Sequence, residues 1–141
     1  MKLEDVSSYE GLDRQDMIGH IIRMPGQLLE GWELGNLLPI DPADGVRQII
    51  LAGMGGSAIG SELLAVFAGP ICPLPVVVLR EDSLPGWARG SETLVISTSH
   101  SGATEETLLV FEQARERGCR LMVIGAGGRL AGLGTQFGCP V

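Results

Sequence analysis

The sequence predicts an α/β fold built on a five-stranded parallel sheet flanked by helices. Three observations predict it. Short apolar, β-rich stretches recur at 46–52, 75–79, 92–97 and 120–124, and a fifth begins at 137–141. Helical patterns follow most of them, and glycine-rich or hydroxyl-rich turns stand where strand gives way to helix. Such alternation gives a sheet covered on both faces, with ligands bound beyond the carboxyl ends of its strands.

The elements follow in order. Residues 1–12 are polar and read as an arm. From Asp13 the pattern turns helical, with Met17, Ile21, Met24 and Leu28 repeating at three or four residues and Leu29 and Trp32 widening the face. Asp13 suits an N-cap, and Pro25-Gly26 is expected to break the stretch into two short helices. The run Pro39-Ile40-Asp41-Pro42 closes this part, so residues 1–42 form an arm and helical segment packed on an α/β domain of residues 43–141. Within that domain the expected order is strand 46–52, turn 53–57, helix 58–68 and strand 75–79. Strand 92–97, helix 104–117, strand 120–124, a glycine turn with a short helix and the last strand complete it.

Bulk properties bound the function. A chain of 141 residues buries about 68–70% of its unfolded surface, enough for its own core. The net charge of −7 and only ten scattered Lys and Arg residues argue against nucleic acid as a partner. An anion must instead be held by local dipoles. Cys72, Cys119 and Cys139 form no ligand spacing with His20 or His100, so no metal is expected and the thiols read as small buried side chains. No segment is long and apolar enough for a leader or a membrane span, so a cytoplasmic protein is the default.

Two loops carry chemistry. The first is Gly53-Met54-Gly55-Gly56-Ser57-Ala58-Ile59-Gly60. Its glycines let a ligand approach the backbone, and the helix that follows offers free N–H groups to an anion. Ser57 can cap that helix and give a hydroxyl to the ligand. The loop also fits a plain packing turn. It equally fits a dinucleotide fingerprint, Gly53-x-Gly55-x-x-Ala58, with Glu81 and Asp82 beyond the second strand as ribose-binding carboxylates.

The second loop is Ser97-Thr98-Ser99-His100-Ser101-Gly102-Ala103-Thr104-Glu105-Glu106-Thr107. Its hydroxyls can donate to phosphate oxygens without adding charge, and amides near 103–105 can supply the rest. Capping alone needs one such residue, not five. Glu105 and Glu106 fall where carboxylates favour the helix dipole, which is a structural role. His100 could titrate near neutral pH and assist proton transfer. The plainer reading turns it away from the ligand, because neighbours in an extended segment face opposite ways.

Taken together, Gly53–Gly60, Ser97–Thr107 and the later Gly127-Gly128-Arg129-Leu130 resemble the sugar isomerase (SIS) domain family. They are most similar to the N-terminal half of its bifunctional phosphoglucose/phosphomannose isomerases, in the same order and over nearly the whole chain. The resemblance implies a three-layer, flavodoxin-like sandwich. It also implies a sugar 6-phosphate held by the hydroxyls of Ser57, Ser99, Ser101 and Thr104, with Gly55 and Gly56 beside the substrate. His100 stands where the family commonly has Tyr, and Ala103 where it has Asn; the hydroxyl positions are kept.

In that family the catalytic Glu, a ring-opening His and a substrate-binding Arg lie beyond the matched region. The resemblance therefore implies a piece of a larger aldose–ketose isomerase, acting on glucose 6-phosphate or mannose 6-phosphate and fructose 6-phosphate without a cofactor. This piece would bind phosphosugars and catalyse little. It also implies pairing, as a homodimer or with a second SIS domain. A phosphosugar sensor without catalysis and a dinucleotide-binding domain are the alternatives. Arg129 either reaches the site or is a solvated helix-start side chain.

Overall fold

The structure, a computed structural model, describes residues 11–38 and 44–141. The chain divides into two units, residues 1–41 and 42–141.

In the first unit, α1 runs unbroken over Met17–Leu37 with Pro25 inside it. The expected break at Pro25-Gly26 does not occur. A proline removes one i→i−4 bond, and the good helix formers on either side carry the helix across it. Asp13 is not the N-cap, which is Asp16 in a left-handed conformation. Its carboxylate caps from further out, accepting the N–H groups of Met17 at 2.7 Å and Ile18 at 2.8 Å. These bonds favour the charged form and lower the Asp13 pKa. The turn expected at Pro39–Pro42 and the arm up to Glu10 lie outside the described residues.

The second unit is an α/β sandwich. Its elements are β1 (Gln48–Gly53), α2 (Gly55–Ala68), β2 (Val76–Leu79), β3 (Thr93–Thr98), α3 (Glu105–Glu116), β4 (Arg120–Ile124) and α4 (Gly128–Gln136). All pairings are parallel, in the order β2-β1-β3-β4.

The sheet has four strands among the described residues, not five. Residues 137–141 meet β4 through one hydrogen bond, from the Val123 N–H to the Pro140 carbonyl at 2.9 Å. A ladder needs successive bonds, and Pro140 has no N–H to give, while Gly138 turns the chain at φ +66°.

The main core lies between the sheet and α3. Ile50, Ala52 and Val95 from the strands meet Val110 and Ala114 from α3, closed by Leu84 and Ala88 from the segment between β2 and β3. Phe111, Val123 and Leu130 extend it under α4. Right-handed crossovers place α2 on the opposite face.

There α2 buries only Ala58 and Ser61 and half-buries Ala65 and Ala68, a small-residue stripe that lets it lie close to the sheet. Its large apolar residues Ile59, Leu63, Val66 and Phe67 are exposed. The cysteines are free; Cys119 is buried as expected, but Cys72 and Cys139 are only half-buried. Burial pushes the thiol pKa of Cys119 and Cys139 up.

Candidate functional site

Register decides where the loops emerge. Gly53 pairs with Thr98 and Thr98 with Ile124, so β1, β3 and β4 end in one row. The turns after them therefore leave the sheet side by side at its carboxyl edge.

The first turn is shorter than the sequence suggests. A single residue, Met54, separates β1 from α2, and Gly55, Gly56 and Ser57 already form the first helical turn. The Met54 carbonyl accepts from Ser57 N at 3.1 Å and from Ala58 N at 3.4 Å. The N–H groups of Gly55 and Gly56 thus precede the helical bonding pattern, and both residues are exposed. Ser57 does not cap the helix; Met54 is the N-cap and no side chain caps it. The Ser57 side chain is half-buried. Gly53 is glycine for space, because a Cβ there would stand 3.0 Å from the Thr98 carbonyl oxygen.

The second turn is held by its own hydroxyls. Ser99 is 1% exposed. Its Oγ accepts the Gly102 N–H at 3.1 Å and lies 2.9 Å from Thr104 Oγ1. Ser99 and Thr104 thus fasten the loop from within, with Thr104 half-buried at the start of α3. Ser101 is exposed, and its Oγ accepts the Ala103 N–H at 3.2 Å. His100 is exposed too. Glu105 and Glu106 occupy the first turn of α3, where carboxylates favour the dipole.

Sequence reasoning placed the third turn, 125–128, but missed its contact with the second. It packs backbone to backbone against the second. A Cβ on Gly125 would come 2.6 Å from the Ser99 carbonyl oxygen. One on Gly102 would strike the Gly127 carbonyl, and one on Gly128 the Ser101 carbonyl. The Leu130 N–H donates to the Gly102 carbonyl at 2.9 Å, and the Ser99 N–H to the Ile124 carbonyl at 3.0 Å. Three glycines in four positions after a strand were the available signal.

The structure thus brings all six predicted residues to one edge: Gly55, Gly56 and Ser57 on one turn, and Ser99, Ser101 and Thr104 on its neighbour. Exposed amides and a hydroxyl on adjacent helix starts can hold an anion without net positive charge. Glu81, the ribose-binding alternative, follows β2 on the far side of β1. Among the described residues no cluster of His, Cys, Asp or Glu could hold a metal ion, and no helix is long and apolar enough to cross a membrane.

Comparison with known proteins adds the kinship. The chain is 36% identical over 126 residues to the bifunctional phosphoglucose/phosphomannose isomerase of Caldicellulosiruptor bescii, covering 89% of this chain and 37% of that protein. The enzyme of the same name from Thermoplasma acidophilum is 38% identical over 89 residues, 63% of this chain and 27% of its own length.

The chain is a relative of these isomerases over most of its own length and shares the fold of phosphosugar isomerases. No family model matches it. Solved structures agree on the SIS fold. A Clostridium difficile protein assigned as a phosphosugar isomerase superposes with a TM-score of 0.59 at 18% identity, covering 77% of this chain and 31% of that one. Tagatose-6-phosphate ketose/aldose isomerase from Escherichia coli superposes at 0.53 and 21% identity, over 63% and 26%. The chain spans only 27–37% of the length of the curated relatives it matches.

Proposed function

We propose that this chain is a SIS domain that binds the phosphate of a sugar 6-phosphate at the carboxyl edge of its sheet. In this reading it serves an aldose–ketose isomerase that interconverts glucose 6-phosphate or mannose 6-phosphate with fructose 6-phosphate. The observation that carries the reading is the adjacency of two helix starts, one offering the Gly55 and Gly56 amides and the other the Ser101 hydroxyl.

A phosphate dianion between them gains charge-assisted bonds to N–H and O–H donors. The dipoles of α2 and α3 add to this. Ser57 and Thr104, half-buried on either turn, complete the donor set, and Ser99 keeps its neighbours in place. Moving a proton between adjacent carbons needs a base, usually a carboxylate, and ring opening needs an acid. The two carboxylates nearest the loop, Glu105 and Glu106, serve the helix dipole. The catalytic base is therefore assigned to a part of the enzyme beyond this domain, and pairing with another SIS domain belongs to the same proposal.

Thermal unfolding with glucose 6-phosphate, fructose 6-phosphate, mannose 6-phosphate, inorganic phosphate and NAD tests it. Ligand at 100 times its dissociation constant adds about 2.7 kcal/mol to stability. Stabilisation by the 6-phosphosugars that is lost in Ser101→Ala supports the reading. Stabilisation by NAD alone moves the site to Gly53–Ala58 and the carboxylates after β2.

A further inference from the structure

The carboxyl edge of the sheet holds one cation whose charge nothing else takes up. The unit of residues 42–141 contains seven arginines. Arg47, Arg80 and Arg115 form ion pairs with Glu92, Glu62 and Glu112 at 3.0, 2.7 and 2.8 Å. Arg89 donates to the Gly86 carbonyl, Arg117 to those of Leu84 and Pro85, and Arg120 to that of Asp44. Among the described residues of this unit, Arg129 is the arginine with no such partner, and it is exposed.

Its place in the chain is fixed from both sides. Gly128 before it lies against the Ser101 carbonyl, and Leu130 after it donates its N–H to the Gly102 carbonyl. Arg129 therefore springs from the point where α4 is fastened to the hydroxyl loop. Arg80, the other arginine at this end of the sheet, is committed to Glu62.

We infer that Arg129 binds the phosphoryl group of the ligand, supplying the full positive charge that the amides and hydroxyls lack. The inference rests on the phosphosugar reading above. In a chain of net charge −7, a dianion held by dipoles alone is repelled by the surrounding field. A guanidinium offsets that repulsion and matches phosphate oxygens with two parallel N–H bonds.

Isothermal titration of the chain with glucose 6-phosphate tests this, using wild type, Arg129→Gln, Arg129→Lys, Ser101→Ala and Arg89→Gln. Arg129→Gln should weaken binding about tenfold or more. Arg129→Lys should fall between it and wild type, since lysine keeps the charge and loses the fork. Arg89→Gln should bind as wild type, because its charge is satisfied away from the loops. The ligand-free unfolding midpoint of Arg129→Gln should be unchanged, which a role in holding α4 would not allow.

Binding lost in Ser101→Ala but kept in Arg129→Gln overturns the assignment of Arg129 and leaves the site standing. Wild-type chain that takes up no phosphosugar overturns both.

Discussion

Ser99 Oγ and Thr104 Oγ1 lie 2.9 Å apart, joined across the turn between β3 and α3, and the same Ser99 oxygen accepts the Gly102 N–H. One buried hydroxyl thus ties the strand end, the left-handed glycine and the helix start together. Three residues along the same loop, Ser99, His100 and Ser101, consequently have different duties. The first shapes the turn, while the other two face solvent.

Substitution separates these duties. Ser99→Ala leaves the Gly102 N–H and the Thr104 hydroxyl without their partner and should cost about 1–3 kcal/mol. Ser101→Ala removes one exposed bond and should stay within about 0.5 kcal/mol of wild type. Chemical denaturation reads the first difference. Phosphosugar binding should fail in Ser101→Ala even though its stability is kept.

Gly102 makes the next prediction. It sits at φ +62° with the Gly127 carbonyl where a Cβ would go. Gly102→Ala combines left-handed strain of about 1–2 kcal/mol with an overpacking cost of about 1–3 kcal/mol, and the loop must part from α4. Gly118, at φ +70° with nothing within 4 Å of its virtual Cβ, isolates the strain alone. Gly118→Ala should therefore lower stability by about 1–2 kcal/mol and Gly102→Ala by clearly more, in the same unfolding titration.

These contacts explain what could be read in the sequence and what could not. β4 falls at 120–124 as its apolar run indicates, and β3 and α3 are displaced by a residue or so. The hydroxyl loop stood out because its composition is local information. The interlock of Gly102 with Gly127 and Gly128 did not, because it depends on Thr98 and Ile124 being register partners.

Gly55-Gly56 reads as a turn by propensity, yet forms the first turn of α2 once Met54 takes the N-cap. Apolar content likewise conceals which side of α2 is inward. Its alanines and Ser61 face the sheet, and its leucines, valine and phenylalanine do not.

Two buried hydroxyls give a prediction of opposite sign. Ser97 Oγ and Thr107 Oγ1 have no hydrogen-bond partner, and both residues are at most 2% exposed. An unpaired buried hydroxyl carries a desolvation cost with no return. Ser97→Ala and Thr107→Val should therefore be neutral or stabilising, which sets them apart from most core substitutions. A clear loss of stability in either variant would mean that a bound water or a ligand satisfies the hydroxyl.

Acid titration bears on the first unit. Asp13 accepts two amides from the first turn of α1, Met17 and Ile18, and its pKa is lowered from the ordinary 3.8. A carboxylate depressed in the folded state stabilises it at pH values above the unfolded pKa, and that contribution is lost as pH falls through the folded pKa. The start of α1 should therefore be intact at neutral pH and loosen only below about pH 4. Salt should weaken the effect, since the carboxylate is only half-buried. Asp13→Ala removes the acceptor at every pH, so its Met17 and Ile18 amides should exchange faster at pH 7 and show no further loosening on acidification. Amide exchange of those two residues, followed by NMR in wild type and variant, measures both. Wild-type protection that does not change between about pH 5 and pH 2 would show that the Asp13 carboxylate does not hold the first turn.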